Sequence, residues 1–137
     1  MSFKTDYNTQ SSVYFYSIHP VLISLGGKGC LLLSDSVYFA NAPSGTVVNT
    51  ACAGDTLLGT FLANKLKGHS EVECLAQAVA ASSSTAFRPG LTDFTDVELL
   101  RKQINIKEIT DGLFDISPSS RSVTLSSVNV AMILIKT

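Results

Sequence analysis

The sequence of 137 residues predicts an α/β fold, on three observations. The continuous apolar run VLISL, at residues 21–25, is typical of a strand buried on both faces and ends at the glycine turn GGKG. Apolar residues after Gly54 recur at helical spacing, whereas those near the C-terminus alternate as in strands. Strands and amphipathic helices are therefore combined within the length of one domain.

Further strands are predicted on both sides of the helical region. The segments CLLLS and SVYFAN surround Asp35 and predict a hairpin, followed by a loop at residues 42–50. Near the N-terminus, SVYFYSI has the composition of an edge strand. The C-terminal alternation is carried by Val123, Leu125, Val128, Val130, Met132 and Leu134.

Three helices are predicted between residues 53 and 104. The first has an apolar stripe and is expected to stop at Gly68. Ser70 and Glu73 have the spacing of a capping box, so a second helix should begin there and end before Pro89. The segment DVELLRKQI predicts a third helix, capped by Thr95. The stripe of the first helix consists of Leu57, Leu58, Phe61, Leu62 and Leu66.

The composition excludes several classes of protein. Ten Lys and Arg residues against eleven Asp and Glu residues give no basic excess, so we expect no nucleic-acid binding. No apolar run has transmembrane length and no signal-peptide order is present, so we expect a cytoplasmic protein without membrane contact. The three cysteines and two histidines have neither the spacing of a zinc site nor that of a disulfide framework. No metal ligands are predicted.

The stretch NTACAGD, residues 49–55, places small residues and one acid at the start of the first helix. Such a turn gathers unpaired N–H groups and the positive end of the helix dipole, which together can seat an anion. Asp55 has two possible roles. It either caps the helix, or it acts as a general base beside a phosphoryl group.

A second glycine-rich turn, SLGGKG at residues 24–29, follows the first predicted strand. It lacks both the P-loop ending and the GxGxxG spacing, so an ordinary turn is one interpretation. A nucleotide site is the other, because open α/β sheets bind ligands where their strands end. The two glycine-rich turns together favour the nucleotide site more than either does alone.

The segments VLISLGGKGCLLL, VVNTACAGDTLLGTFLA, ECLAQAVAASSSTAF and GLTDF follow one another as in PfkB-type carbohydrate kinases. From residue 20 to residue 109 the chain resembles the C-terminal part of this ribokinase-like family. The 1-phosphofructokinase branch is the most similar and the tagatose-6-phosphate kinase branch comes next. The resemblance implies a three-layer α/β/α fold, with residues 110–137 as an extension of extra strands and residues 1–19 as a segment of unclear role.

The resemblance also implies ATP-dependent phosphorylation of a sugar phosphate, fructose 1-phosphate or else tagatose 6-phosphate. Asp55 would be the general base, with the N–H groups of Ala53, Gly54 and Asp55 as the anion hole and Mg²⁺ accompanying ATP. Cys52 replaces the glycine of the family motif, and its side chain would disfavour a positive φ if the turn requires one. The residues expected to bind ATP are Ser24, Gly26, Gly27, Lys28, Gly29, Ala51, Ala80, Ser83 and Ser84.

The family's sugar-binding half has no counterpart in this sequence. We therefore keep a second hypothesis, that of a nucleotide-binding or structural remnant without activity of its own. An open sheet of this kind would also expose apolar edges. We accordingly expect a homo-oligomer or association with a separate N-terminal half.

Overall fold

The computed structural model of the chain describes residues 20–109 and 131–134. Within these residues, one antiparallel sheet has the strand order β4-β3-β2-β1-β5. The predicted edge strand in residues 1–19 and the alternation at 123–130 lie outside the described residues. The strands are β1 (Val21–Ser24), β2 (Cys30–Leu33), β3 (Val37–Ala40), β4 (Ile106–Ile109) and β5 (Ala131–Leu134).

The predicted hairpin is confirmed. Strands β2 and β3 pair with Leu33 opposite Val37, and the intervening turn is closed by a 2.9 Å hydrogen bond from the N–H of Ser34 to the carbonyl of Ser36. The prediction for β1 is confirmed in its first half: Val21 and Leu22, which point to opposite faces, are both buried. The second half of β1 is half-buried.

Three helices lie in the order α1 (Ala53–Leu66), α2 (Glu71–Ala86) and α3 (Val97–Arg101). Gly68 follows α1 with a φ of +87°, which suits the predicted stop. At the start of α2, Ser70 and Glu73 form both hydrogen bonds of a capping box, as predicted.

Helices α1 and α2 pack on one face of the sheet. Leu57 and Phe61 of α1 share a buried core with Leu75 of α2 and with Leu22 and Leu32 of the sheet. Helix α3 packs against α2 in a smaller cluster. The described residues thus form two of the three predicted layers, and α2 lies at the centre of the helical layer.

Two details of the helix prediction are wrong. Leu66 is 88% exposed, so it does not belong to the buried part of the predicted stripe. Thr95 does not cap α3, whose N-cap residue is Asp96. The N–H and hydroxyl of Thr95 donate instead to Asp93, and α3 is shorter than the predicted segment.

Candidate active site

The N-terminal turn of α1 brings the predicted catalytic residues together. The helix begins at Ala53, with Cys52 as its N-cap residue. Just upstream, Asn49 accepts a hydrogen bond of 2.9 Å on its side-chain oxygen from the N–H of Ala51. The N–H of Asn49 donates to the carbonyl of Ala86, at the end of α2. The turn is therefore attached to α2 before α1 begins.

Cys52 adopts a left-handed backbone conformation, with φ +63° and ψ +1°. A side chain in this region costs about 1–2 kcal/mol relative to a right-handed residue. Glycine would avoid that cost, and the family motif has glycine at this position. The turn thus requires the positive φ that Cys52 was expected to disfavour, and the exposed cysteine adopts it nevertheless.

The predicted anion hole consists of three consecutive N–H groups, those of Ala53, Gly54 and Asp55. That of Ala53 donates to the carbonyl of Thr50 at 3.2 Å. Among the residues that the structure describes, the N–H groups of Gly54 and Asp55 have no protein acceptor. An added Cβ at Gly54 would meet no atom within 4 Å, so packing does not demand glycine there.

The carboxylate of Asp55 lies exposed in the first turn of α1. No capping hydrogen bond from a side chain is present at this helix start, and within the described part of the chain Asp55 makes no ion pair. Among the described residues, Asp55 therefore does not make the hydrogen bond that a simple helix cap would make. Its acceptor oxygens remain available to an incoming hydroxyl group.

The second glycine-rich turn follows β1 as predicted. Residues Gly26–Lys28 form one 3₁₀ turn that is exposed to solvent, and the N–H of Leu25 donates to the carbonyl of Gly29 at 2.8 Å. Gly26 and Gly29 have φ values of +60° and +121°, which other residues rarely adopt. The predicted ATP-binding residues Ser24, Gly27 and Lys28 lie on or beside this turn.

A small cavity connects this turn to α2. Ser24, Gly26 and Gly29 line one side, and Ser82 and Ser83 line the other. Its volume of about 30 Å³ admits one or two water molecules but not a nucleobase. The cavity is therefore too small to hold a nucleotide.

The other predicted ATP-binding residues are distributed differently. Ala51 is exposed next to Cys52, and Ser83 is nearly buried at the cavity. Ala80 is fully buried in the cluster that joins α2 to α3, and Ser84 is fully buried with hydrogen bonds to protein partners. Both side chains are packed within the interior of the protein. The predicted contact of Ala80 and Ser84 with ATP would require these two side chains to become exposed.

An ion-paired loop follows α2. Arg88 contacts Asp93 at 2.7 Å and Asp96 at 3.1 Å. Hydrogen bonds from Thr95, together with Arg88, lower the pKa of Asp93 to about 2. The hydrogen bond from Ser84, with a smaller contribution from Arg88, lowers the pKa of Asp96. Both carboxylates therefore remain ionised well into acid.

In residues 20–109 and 131–134, no three His, Cys, Asp or Glu side chains converge as a set of metal ligands. Asp55 lies in the turn at residues 49–55, which we call the anion turn, and belongs to no such group in that part of the chain.

A family model for pfkB family carbohydrate kinases matches residues 13–97. The chain belongs to this family. The match includes both glycine-rich turns, the start of α1 and the whole of α2. The pfkB motif thus coincides with the part of the structure that carries the free N–H groups and Asp55.

Two curated relatives match about the same region of this pfkB chain. D-tagatose-1-phosphate kinase from Bacillus licheniformis is 43% identical over 90 residues, which are 65% of this chain and 30% of the relative. The 1-phosphofructokinase from Bacillus subtilis is 34% identical over 90 residues, with the same coverage of 65% and 30%. The chain thus spans about 30% of the length of these relatives.

Solved structures confirm the predicted ribokinase-like fold. A candidate phosphofructokinase from Staphylococcus aureus superimposes with a TM-score of 0.62 and 31% identity, covering 64% of this chain and 29% of its own. A candidate sugar kinase from Clostridium perfringens, at 19% identity, shares the fold with a TM-score of 0.60, covering 79% of this chain and 36% of its own. In the described part of the pfkB chain, no helix is long and apolar enough to cross a membrane.

Four polar residues around the anion turn were not predicted from the sequence. Ser82 donates from its hydroxyl to the carbonyl of Ala53 at 2.9 Å, across two helices. The other three are Asn49, Thr56 and Thr85. A usable signal was present, because Ser82 and Thr85 are three residues apart and so share one face of a helix that is otherwise rich in alanine.

Proposed function

We propose that this chain carries the phosphoryl-transfer part of an ATP-dependent sugar-phosphate kinase. The observation that carries the proposal is the start of α1, where two N–H groups without protein acceptors lie beside the exposed carboxylate of Asp55. N–H groups at a helix start suit the oxygens of a transferring phosphoryl group. Membership of the pfkB family supports the same chemistry.

In the proposed mechanism, Asp55 accepts the proton of the attacking sugar hydroxyl. The N–H groups of Gly54 and Asp55 stabilise the charge on the transferring phosphoryl oxygens. The N–H of Ala53 joins them if it leaves its 3.2 Å hydrogen bond to Thr50. The turn at residues 24–29 holds part of ATP on its exposed side. Mg²⁺ would arrive with ATP and neutralise charge on the phosphates.

The proposed acceptor is fructose 1-phosphate, in accord with the name of the relative from Bacillus subtilis. Tagatose 6-phosphate is the other acceptor expected from the sequence. The relative from Bacillus licheniformis is named for D-tagatose 1-phosphate, which adds a third compound to the test. We propose the cytoplasm as the location of this activity.

The test compares wild type with Asp55→Asn in phosphoryl transfer from ATP to each of the three sugar phosphates. Loss of a general base is expected to reduce kcat by at least about 100-fold. Asp35→Asn is the matched control, because Asp35 is exposed in the β2–β3 turn, away from the start of α1. Equal turnover in wild type and Asp55→Asn would remove Asp55 as the base.

A second candidate function is nucleotide binding without catalysis by this chain alone. It is favoured by the coverage of about 30% of the relatives' length, since catalysis requires both reactants to be held in place. Calorimetric titration with ATP separates the two functions. Binding without turnover supports the second function, and absence of binding leaves a structural role.

We propose that a second copy of the chain or a separate polypeptide completes the site. Size-exclusion chromatography of the chain at high concentration tests self-association. A monomer under those conditions would contradict the homo-oligomer and leave a separate partner as the proposed arrangement.

A further inference from the structure

A chain of hydroxyl groups leads from the loop after α2 to the turn before α1. The N–H of Thr92 donates to the hydroxyl of Thr85 at 3.2 Å. The hydroxyl of Thr85 donates to that of Thr56, also at 3.2 Å. The hydroxyl of Thr56 in turn donates to the carbonyl of Cys52 at 2.9 Å. Each hydroxyl accepts one hydrogen bond and donates one, so the chain has a single direction that ends at Cys52.

The end of this chain lies at the residue that sets the geometry of the anion turn. The carbonyl of Cys52 also accepts the N–H of Thr56 at 2.9 Å, so Thr56 holds it twice. Because the peptide group is planar, fixing this carbonyl fixes the direction of the N–H of Ala53. The N–H groups of Gly54 and Asp55 follow on the same helical turn. The two hydrogen bonds from Thr56 thereby keep Cys52 in its left-handed conformation, although this conformation is energetically unfavourable.

The other end of this hydroxyl chain, at Thr92, is held by further hydrogen bonds and by an ion pair. Thr92 shares a 2.7 Å hydrogen bond with Ser84, which is fully buried and donates to Asp96. Asp96 is held in turn by Arg88 at 3.1 Å. Thr85 itself is 2% exposed, so its hydroxyl has little access to water as an alternative partner. The hydroxyl chain therefore connects a hydrogen-bonded and ion-paired loop to the anion turn.

We propose that Thr56 and Thr85 are positioning residues of the phosphoryl site, which hold the N–H groups of Gly54 and Asp55 in the direction that an anion requires. This inference rests on the proposed function, because it concerns the same anion turn. Ordinary helix packing is the competing explanation for the two hydroxyls. If the two hydroxyls serve packing alone, removing them should lower the stability of the fold but leave anion binding at the turn unchanged.

The first experiment measures anion binding without relying on turnover. Inorganic phosphate is titrated into ¹⁵N-labelled protein while the N–H signals of Gly54 and Asp55 are followed. Wild type is expected to respond at both signals. Thr85→Val keeps the shape of the side chain and removes its hydroxyl, and is expected to weaken the phosphate response about tenfold. Thr85→Ser keeps the hydroxyl and is expected to restore the response.

Thr60→Val is the matched control. Thr60 lies one turn after Thr56 on the same helix, and its hydroxyl makes no hydrogen bond within the described residues. Its phosphate response should equal that of wild type. If Thr85→Val does not fold, Thr56→Val carries the test, since Thr56 is half-buried and more tolerant of change.

The second experiment compares kcat with KM in the same variants. Misplaced N–H groups act on the transition state more than on substrate binding, so kcat should fall about tenfold while KM stays within about twofold. A wild-type response to phosphate that is unchanged in Thr85→Val and Thr56→Val overturns the positioning role alone. A wild type whose Gly54 and Asp55 signals ignore phosphate overturns the proposed anion site, and this inference with it.

Discussion

Gly29 approaches the carbonyl oxygen of Ala40 so closely that a Cβ on Gly29 would lie 1.9 Å from that oxygen. Its φ of +121° is also unfavourable for any other residue. Gly29→Ala is therefore expected to lower the free energy of unfolding by roughly 3 kcal/mol, through overpacking and backbone strain together. Urea denaturation of the purified variant measures this loss.

The control for this prediction is Gly27→Ala, two residues earlier in the same turn. A Cβ on Gly27 would meet no atom within 4 Å, and Gly27 does not have a positive φ. Its unfolding free energy should stay within about 0.5 kcal/mol of wild type. Similar losses in the two variants would contradict the close contact with Ala40.

Cys52→Gly is expected to stabilise the protein. Glycine removes the cost of the left-handed conformation, about 1–2 kcal/mol, and adds about 0.5–1 kcal/mol of unfolded-state entropy. The net gain in unfolding free energy should be up to about 1.5 kcal/mol, measured by urea denaturation. Ala51→Gly is the control, because Ala51 lies in the same turn without a positive φ and should lose stability. A loss in both variants would mean that Cys52 contributes a contact that outweighs its strain.

The three cysteines are expected to react with iodoacetamide at very different rates. Burial raises the pKa of Cys30 to about 12 and also raises that of Cys74, whereas Cys52 is exposed. The thiolate is the reacting form, so the native protein should be alkylated at Cys52 first. Mass spectrometry of peptides identifies the modified residue, with urea-unfolded protein as the control. Native labelling of Cys30 as fast as Cys52 would contradict the buried position of Cys30.

Asp93 should make stability depend on pH in the acid range. Its pKa of about 2 in the folded protein lies below the ordinary value of 3.8. The stabilisation is therefore complete above about pH 4 and is lost as the pH falls towards 2, where the folded carboxylate takes up its proton. Asp93→Asn should flatten this part of the curve of unfolding free energy against pH.

Other carboxylates titrate in the same pH range. The Asp93 prediction therefore depends on the difference between the curves of unfolding free energy against pH for wild type and Asp93→Asn. The pKa values of Asp96 and Glu71 are also lowered, and both groups remain in Asp93→Asn. Asp35→Asn removes an exposed acid elsewhere and serves as the charge control. Parallel curves for wild type and Asp93→Asn between about pH 4 and pH 2 would refute the role of Asp93.

Local signals in the sequence were sufficient for the elements around the site. The capping box at Ser70 and Glu73 and the stop at Gly68 each depend on residues a few positions apart. The hairpin at Asp35 is local in the same sense. Such features are largely independent of the rest of the fold, so they could be predicted from the sequence.

Features that depend on distant contacts could not be predicted in the same way. Ala80 and Ser84 were expected to bind ATP, yet α3 and the loop before it cover them. The contact between Ser82 and Ala53 joins residues 29 positions apart. In each case a tertiary neighbour decided the role of the side chain.

Strand β1 has hydrogen-bonded partners on both sides, β2 on one and β5 on the other. Any second polypeptide that extends this sheet through β1 must first displace Ala131–Leu134, which compete for the same backbone groups. Assembly by that route is a strand-exchange reaction, as in domain swapping. Its rate would be limited by the detachment of β5, so it would stop increasing with partner concentration once detachment becomes the slow step.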